Sequence, residues 1–125
     1  MKVVVTSTGP SLDAAVDPRF GRCPLFMVVD TDDMSFKAVA NGNSALGGGA
    51  GIQSAGLVVQ EGAKAVLTGN CGPNAHQALS AAGVEVVVGC SGTVAEVVDR
   101  FKAGQLRAAS GPNVGSHSGM KGGQG

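Results

Sequence analysis

The chain has no tryptophan or tyrosine and only four phenylalanines in 125 residues. One domain of this length can bury a real core, but that core must be made mostly of Val, Ala, Leu and Gly. Charge is also scarce: nine basic residues balance nine acidic ones and the formal charge is zero. No basic stripe or arginine-rich helix appears, so the electrostatic footprint of a nucleic-acid binder is missing. No apolar run is long enough to span a bilayer. Val3, Val4 and Val5 are too short a stretch for a secretory leader. The expectation is a cytoplasmic protein with no nucleic-acid or membrane partner.

Cysteine is sparse as well. Cys23, Cys71 and Cys90 stand far apart, with no C-x-x-C pair. An odd number in a cytosolic chain argues against a disulfide framework, and the spacing signals neither structural zinc nor a thioredoxin-like motif. Each thiol has a plain reading as a small buried hydrophobe.

What the chain has in abundance is glycine. Gly47-Gly48-Gly49-Ala50-Gly51 is too glycine-rich for a strand or a helix interior. Such a run lets the backbone take positive φ and approach a ligand closely. A helix is predicted directly after it, over 52–62. A glycine-rich turn that opens a helix presents unpaired N–H groups and the positive end of the helix dipole, a generic anion site. A simple connection that turns the chain remains the alternative.

Short β-branched or apolar runs predict strands at 2–6, 25–30, 35–41, 63–68 and 84–88. The short turn at 31–34 makes the second and third strands an antiparallel hairpin. Pro73 sits well at the first position of a second helix that ends at Gly83. Thr93 and Glu96 form a capping-box pattern for a third helix, with Val94, Val97, Val98 and Phe101 as its core stripe, ending near Gly104. The order is β-β-β-α-β-α-β-α. Right-handed crossovers make the last two strands parallel, giving a mixed five-stranded sheet covered by helices. From 108 to 125 the composition shifts to Gly, Ser and small polar residues, read as a flexible tail. His117 and Met120 in it are soft-metal donors by type, or incidental tail residues.

This topology gathers the unusual residues on one edge. The loop after the first strand, with Thr8, the three cysteines and the glycine run all fall at the carboxyl edge of strands one, four and five. Open α/β sheets bind ligands there. Arg19 and Arg22 flank the same loop beside Cys23, and guanidinium groups suit polyatomic anions. Arg19 pairing with Asp17 is the structural alternative. Cys71 precedes a predicted helix N-terminus, a position that favours thiolate. The resulting pocket is friendly to anions, poor in carboxylates and rich in sulfur. It serves Mg²⁺ and Ca²⁺ badly and a sulfur-rich metal anion better.

The segments Asp17-Pro18-Arg19-Phe20-Gly21-Arg22-Cys23 with Phe26 and Asp30, the glycine run, and Thr68-Gly69-Asn70-Cys71-Gly72-Pro73-Asn74-Ala75 resemble the dinitrogenase iron–molybdenum cofactor biosynthesis family over 1–107. The resemblance implies a three-layer, ribonuclease-H-like α/β fold with strand order 3-2-1-4-5 and helices on both faces. It also implies binding or carriage of a metal–sulfur cluster rather than catalysis. The cluster implied first is a molybdenum–copper sulfide, with an iron-containing cluster second, and assembly or acceptor proteins are the implied partners. Thr8, Arg19, Arg22, Gly47, Gly48, Gly49, Ala50, Gly51, Asn70 and Gly72 are the expected cluster-contacting residues. Cys71, Cys90 and Cys23 are the candidate sulfur ligands; the alternative that the resemblance implies is a cluster held largely by non-covalent contacts, without them.

Three other functions compete. Two-metal nuclease chemistry needs converging carboxylates, which the first strand does not supply. A small-anion or nucleotide-binding module using the 47–51 loop lacks the G-x-x-x-x-G-K-[ST] pattern and a dinucleotide fingerprint after the first strand. A thiol-redox role needs two cysteines within disulfide reach.

Overall fold

The computed structural model describes residues 1–42, 50–106 and 108. Its elements are β1 (Lys2–Ser7), β2 (Leu25–Asp30), β3 (Phe36–Ala40), α1 (Ala50–Gln60), β4 (Ala65–Leu67), α2 (Pro73–Ala81), β5 (Glu85–Val87) and α3 (Val94–Lys102). The order matches the expected one. β4 and β5 are shorter than their apolar runs, three residues each.

The five strands form one sheet in the order β3-β2-β1-β4-β5. β2 runs antiparallel to both β1 and β3. β4 lies parallel to β1 and β5 parallel to β4. The expected 3-2-1-4-5 order, mixed sheet and ribonuclease-H-like layering are therefore present. β1 occupies the centre because it is buried on both faces, as its run of valines requires.

The period of two along each strand divides the core. Val4, Phe26, Val28, Val66 and Val86 face one side and pack with Ala55 and Val58 of α1 and Ala75 and Leu79 of α2. Val3, Val5, Met27, Val29, Leu67 and Val87 face the other and pack with Val94, Val97 and Val98 of α3. One residue of register shift in β1 would exchange the two sets.

α1 lies beside α2 because glycine occupies position 51: a Cβ there would meet the Ala75 Cβ at 3.3 Å. Gly62 (φ +79°) follows the end of α1 and Gly83 (φ +79°) follows α2, both in the left-handed conformation that glycine tolerates after a helix. The capping box of α3 is complete. Thr93 Oγ1 accepts from the Glu96 N–H at 3.1 Å, and the Thr93 N–H donates to Glu96 Oε1 at 2.9 Å.

The long connection between β1 and β2 has little periodicity but is firmly hydrogen-bonded. Its first half serves α3: the Val94 and Ala95 N–H groups donate to the Ala14 and Leu12 carbonyls, both at 2.9 Å. Its second half, from Asp17 to Pro24, crosses the carboxyl ends of β1 and β4 and builds the candidate site. No helix among the described residues is long and apolar enough to cross a membrane. Gly47, Gly48 and Gly49, and the tail assignment beyond Ala108 with His117 and Met120, lie outside the described residues.

Candidate functional site at the carboxyl edge

A cavity of about 400 Å³ opens at the carboxyl edge, lined by Arg19, Phe20, Arg22, Asn70 and Gly72. Four of these five, all but Phe20, are expected cluster-contacting residues. They come from two segments distant in sequence, the loop after β1 and the turn between β4 and α2. A smaller cavity of about 240 Å³ at the opposite edge is lined by Lys2, Val28, Asp30, Ser35, Phe36 and Lys37, and mixes both signs of charge.

The two segments are joined by main chain. Arg19 and Asn70 form a parallel bridge. The Phe20 N–H donates to the Asn70 carbonyl at 3.1 Å, and Asn70 Nδ2 donates to the Pro18 carbonyl at 3.0 Å. This approach is so close that a side chain at position 69 has no room: a Cβ on Gly69 would lie 2.6 Å from Pro18 Cα. The glycine of Thr68-Gly69-Asn70 thus has a steric reason.

Asp17 sets the charge of the loop. Its carboxylate is buried and accepts the Arg19 N–H at 2.9 Å, Arg19 Nε at 3.2 Å and Arg19 Nη2 at 3.1 Å. The structural pairing of Arg19 with Asp17 is therefore present. It does not remove Arg19 from the site, because the arginine side chain stays 60% exposed and lines the cavity. A guanidinium has five N–H donors in a planar fork, so one that embraces a carboxylate on one side still presents N–H groups on the other. The hydrogen bond to Asp17 and its charge hold the Arg19 pKa above its ordinary value. Arg22 is exposed on the same rim.

Gly72 is the N-cap of α2 and offers no side-chain acceptor to the first-turn N–H groups. The positive end of that helix therefore lies beside the cavity that Gly72 lines. The N-terminus of α3 is different, since the loop carbonyls and the capping box already serve it.

The cysteines end up elsewhere than a shared ligand set. All three are free and buried. Cys23 and Cys71 pack into the cluster beneath α1 and α2, while Cys90 packs into the cluster beneath α3, across the sheet. Burial pushes the Cys23 thiol up to about 12, with the Asp17 charge adding to it, and the Cys71 thiol up to about 11. Burial also raises Cys90. The expectation of thiolate character at Cys71 is corrected here: burial raises the thiol and favours its protonated form. Among the described residues, no three His, Cys, Asp or Glu side chains converge as a metal site.

Thr8 is exposed away from the cavity lining, with its hydroxyl donating to the Ala15 carbonyl at 3.0 Å. Gly51 serves the α1–α2 contact, and Ala50 opens α1. Sequence reasoning missed Asn41, a buried amide at the end of β3. The only signal was a polar residue closing an apolar run.

Residues 1–104 match the family model described as dinitrogenase iron-molybdenum cofactor. The chain belongs to that family. Among solved structures it is similar to the apo form of the orange protein from Desulfovibrio gigas, with 46% identity and a TM-score of 0.88, covering 90% of this chain and 96% of that one. A candidate NifB protein from Thermotoga is 30% identical with a TM-score of 0.77, over 94% and 98% of the two chains. An uncharacterized protein of Methanocaldococcus jannaschii is 31% identical over 95 residues, 73% of this chain and 80% of the relative.

Proposed function

We propose that this family member binds and carries an anionic metal–sulfur cluster as cargo at the carboxyl edge, in the cytoplasm, and does not act as a catalyst. The observation that carries this reading is the cavity with Arg19 and Arg22 on its rim and the positive end of α2 beside it. The nearby Asp17 carboxylate is already embraced by Arg19. Such a donor set fits a polyatomic sulfide anion held by ion pairing and N–H donors. It does not fit a bare divalent cation, which needs several oxygen ligands.

Arg19 is pre-oriented by Asp17, so little side-chain freedom is lost when it meets the anion. Arg22 adds charge at the rim, and Asn70 and Gly72 shape the floor with main chain. The buried, protonated thiols of Cys23, Cys71 and Cys90 leave the cluster held without a shared thiolate ligand set. Non-covalent holding suits delivery, because release to an assembly or acceptor protein then breaks no metal–protein bond. A molybdenum–copper sulfide is the cargo proposed first, on the similarity to the orange protein, and an iron-containing cluster second.

The test is metal content and the visible spectrum of protein purified without oxygen, before and after adding tetrathiomolybdate and copper. Lacking Trp and Tyr, the chain also absorbs little in the near ultraviolet, so sulfide-to-metal bands that extend there stand clear. Stoichiometric molybdenum and copper with sulfide-to-metal bands are expected. A colourless protein that takes up neither metal sinks the molybdenum–copper reading, and failure with iron and sulfide as well sinks cluster carriage.

A further inference from the structure

The cavity rim is a loop, and a loop needs an anchor to hold two arginines in place. On one side that anchor is Asn70. On the other side stands Asn41, 5% exposed at the end of β3. Its Nδ2 donates to the Gly21 carbonyl at 3.0 Å and to the Cys23 carbonyl at 2.8 Å. These two carbonyls bracket Arg22. The Asn41 main-chain N–H donates to the Pro24 carbonyl at 2.9 Å. From α1, Ser54 Oγ, fully buried, donates to Asn41 Oδ1 at 3.4 Å.

One buried amide therefore connects β3, α1 and the arginine loop. Gly21 lies at φ +94°, so the loop turns sharply where Asn41 holds it. A side chain with two N–H donors and one oxygen acceptor is the type that can bind two carbonyls and a hydroxyl at once. Leaving those carbonyls without a donor in a buried setting costs stability of that conformation.

We propose that Asn41 is a positioning residue for the anion site: it touches no cargo, and it sets where Arg22 and Phe20 stand by fixing the carbonyls of Gly21 and Cys23. Its binding consequence rests on the cluster-carrying reading, and its loop consequence does not.

The experiment compares the full chain with Asn41→Ala, Asn41→Asp and a control, Val98→Ala, which opens the core beneath α3, across the sheet from Phe20 and Cys23. Asn41→Asp keeps the shape and loses the N–H donors. Two readouts are taken on folded protein: hydrogen exchange at the Phe20 and Arg22 amides, and the dissociation constant for tetrathiomolybdate. Both Asn41 variants are expected to exchange about tenfold faster at those amides and to bind about fivefold more weakly. Val98→Ala changes neither selectively. Unchanged exchange at Phe20 and Arg22 overturns the proposal, and so does faster exchange with unchanged affinity. If the unaltered chain binds no tetrathiomolybdate, the cargo reading fails while the exchange data still judge Asn41. Should a variant not fold, the Asn41 side-chain amide protons of the unaltered chain decide: slow exchange supports the clamp and free exchange overturns it.

Discussion

Gly69 meets Pro18 so closely that a Cβ on the glycine would stand 2.6 Å from Pro18 Cα and 3.0 Å from the Pro18 carbonyl oxygen. Both contacts are to backbone, which has no flexible side chain to swing away. The arginine loop lies on the end of β4 only because position 69 has no side chain. Gly69→Ala should destabilise the fold by ~1–3 kcal/mol, the range for overpacking. It should also weaken cargo retention by displacing Arg19. Urea denaturation and tetrathiomolybdate titration check the two effects, and an unperturbed variant would mean the loop has another resting place.

The two arginines are expected to separate by role. Arg22→Ala should lower tetrathiomolybdate affinity with little change in melting midpoint, since its side chain is exposed. Arg19→Ala should lower both, because the buried Asp17 carboxylate loses the guanidinium fork. The double variant should bind about tenfold more weakly or worse, with a smaller salt dependence than the parent. Equal affinity in the double variant would refute the arginine role.

The thiols supply a pH prediction. Cys23 and Cys71 titrate near 12 and 11 in the folded chain against 9.0 for an unperturbed thiol. Above about pH 9 the unfolded chain releases thiol protons that the folded chain keeps, so stability falls as pH rises from about 9 toward 11–12. Below pH 9 these groups leave stability flat. At pH 8 the thiols should react with iodoacetamide far more slowly than a free peptide thiol. Rapid alkylation of folded protein would contradict their burial.

Cys90 lies across the sheet from the other two thiols. Cys90→Ala should leave tetrathiomolybdate affinity within about twofold, the scale expected for a site with no shared contacts. A large loss of binding would restore Cys90 as a ligand.

The α3 capping box gives a prediction independent of cargo. Thr93→Ala should cost ~1 kcal/mol of stability. The Glu96 pKa is lowered mainly by the Thr93 N–H that it accepts, so its stabilisation is present at neutral pH and is lost as pH falls through its folded value. Thermal melts from pH 7 down to pH 3 should show the parent and Glu96→Gln converging, while Thr93→Ala, which keeps the N–H at position 93, stays offset.

Local pattern was enough to read the architecture of this protein. Alternating apolar residues, a hairpin turn, a proline at a helix start and a Thr–Glu box each report on their own few residues, and chain-crossing rules then order the strands. The carboxyl edge followed from that topology, and with it the meeting of Arg19, Arg22, Asn70 and Gly72. Tertiary structure alone decided the rest. Whether Cys71 is thiol or thiolate depends on how many atoms exclude water from it, and those atoms come from distant segments. Cys90 packs across the sheet from Cys23 and Cys71 because the connection after β5 turns to the α3 side while the one after β4 turns to the α1–α2 side. Asn41 gained its role because two carbonyls, twenty and eighteen residues earlier in the chain, fold over it, a contact that no spacing or period encodes.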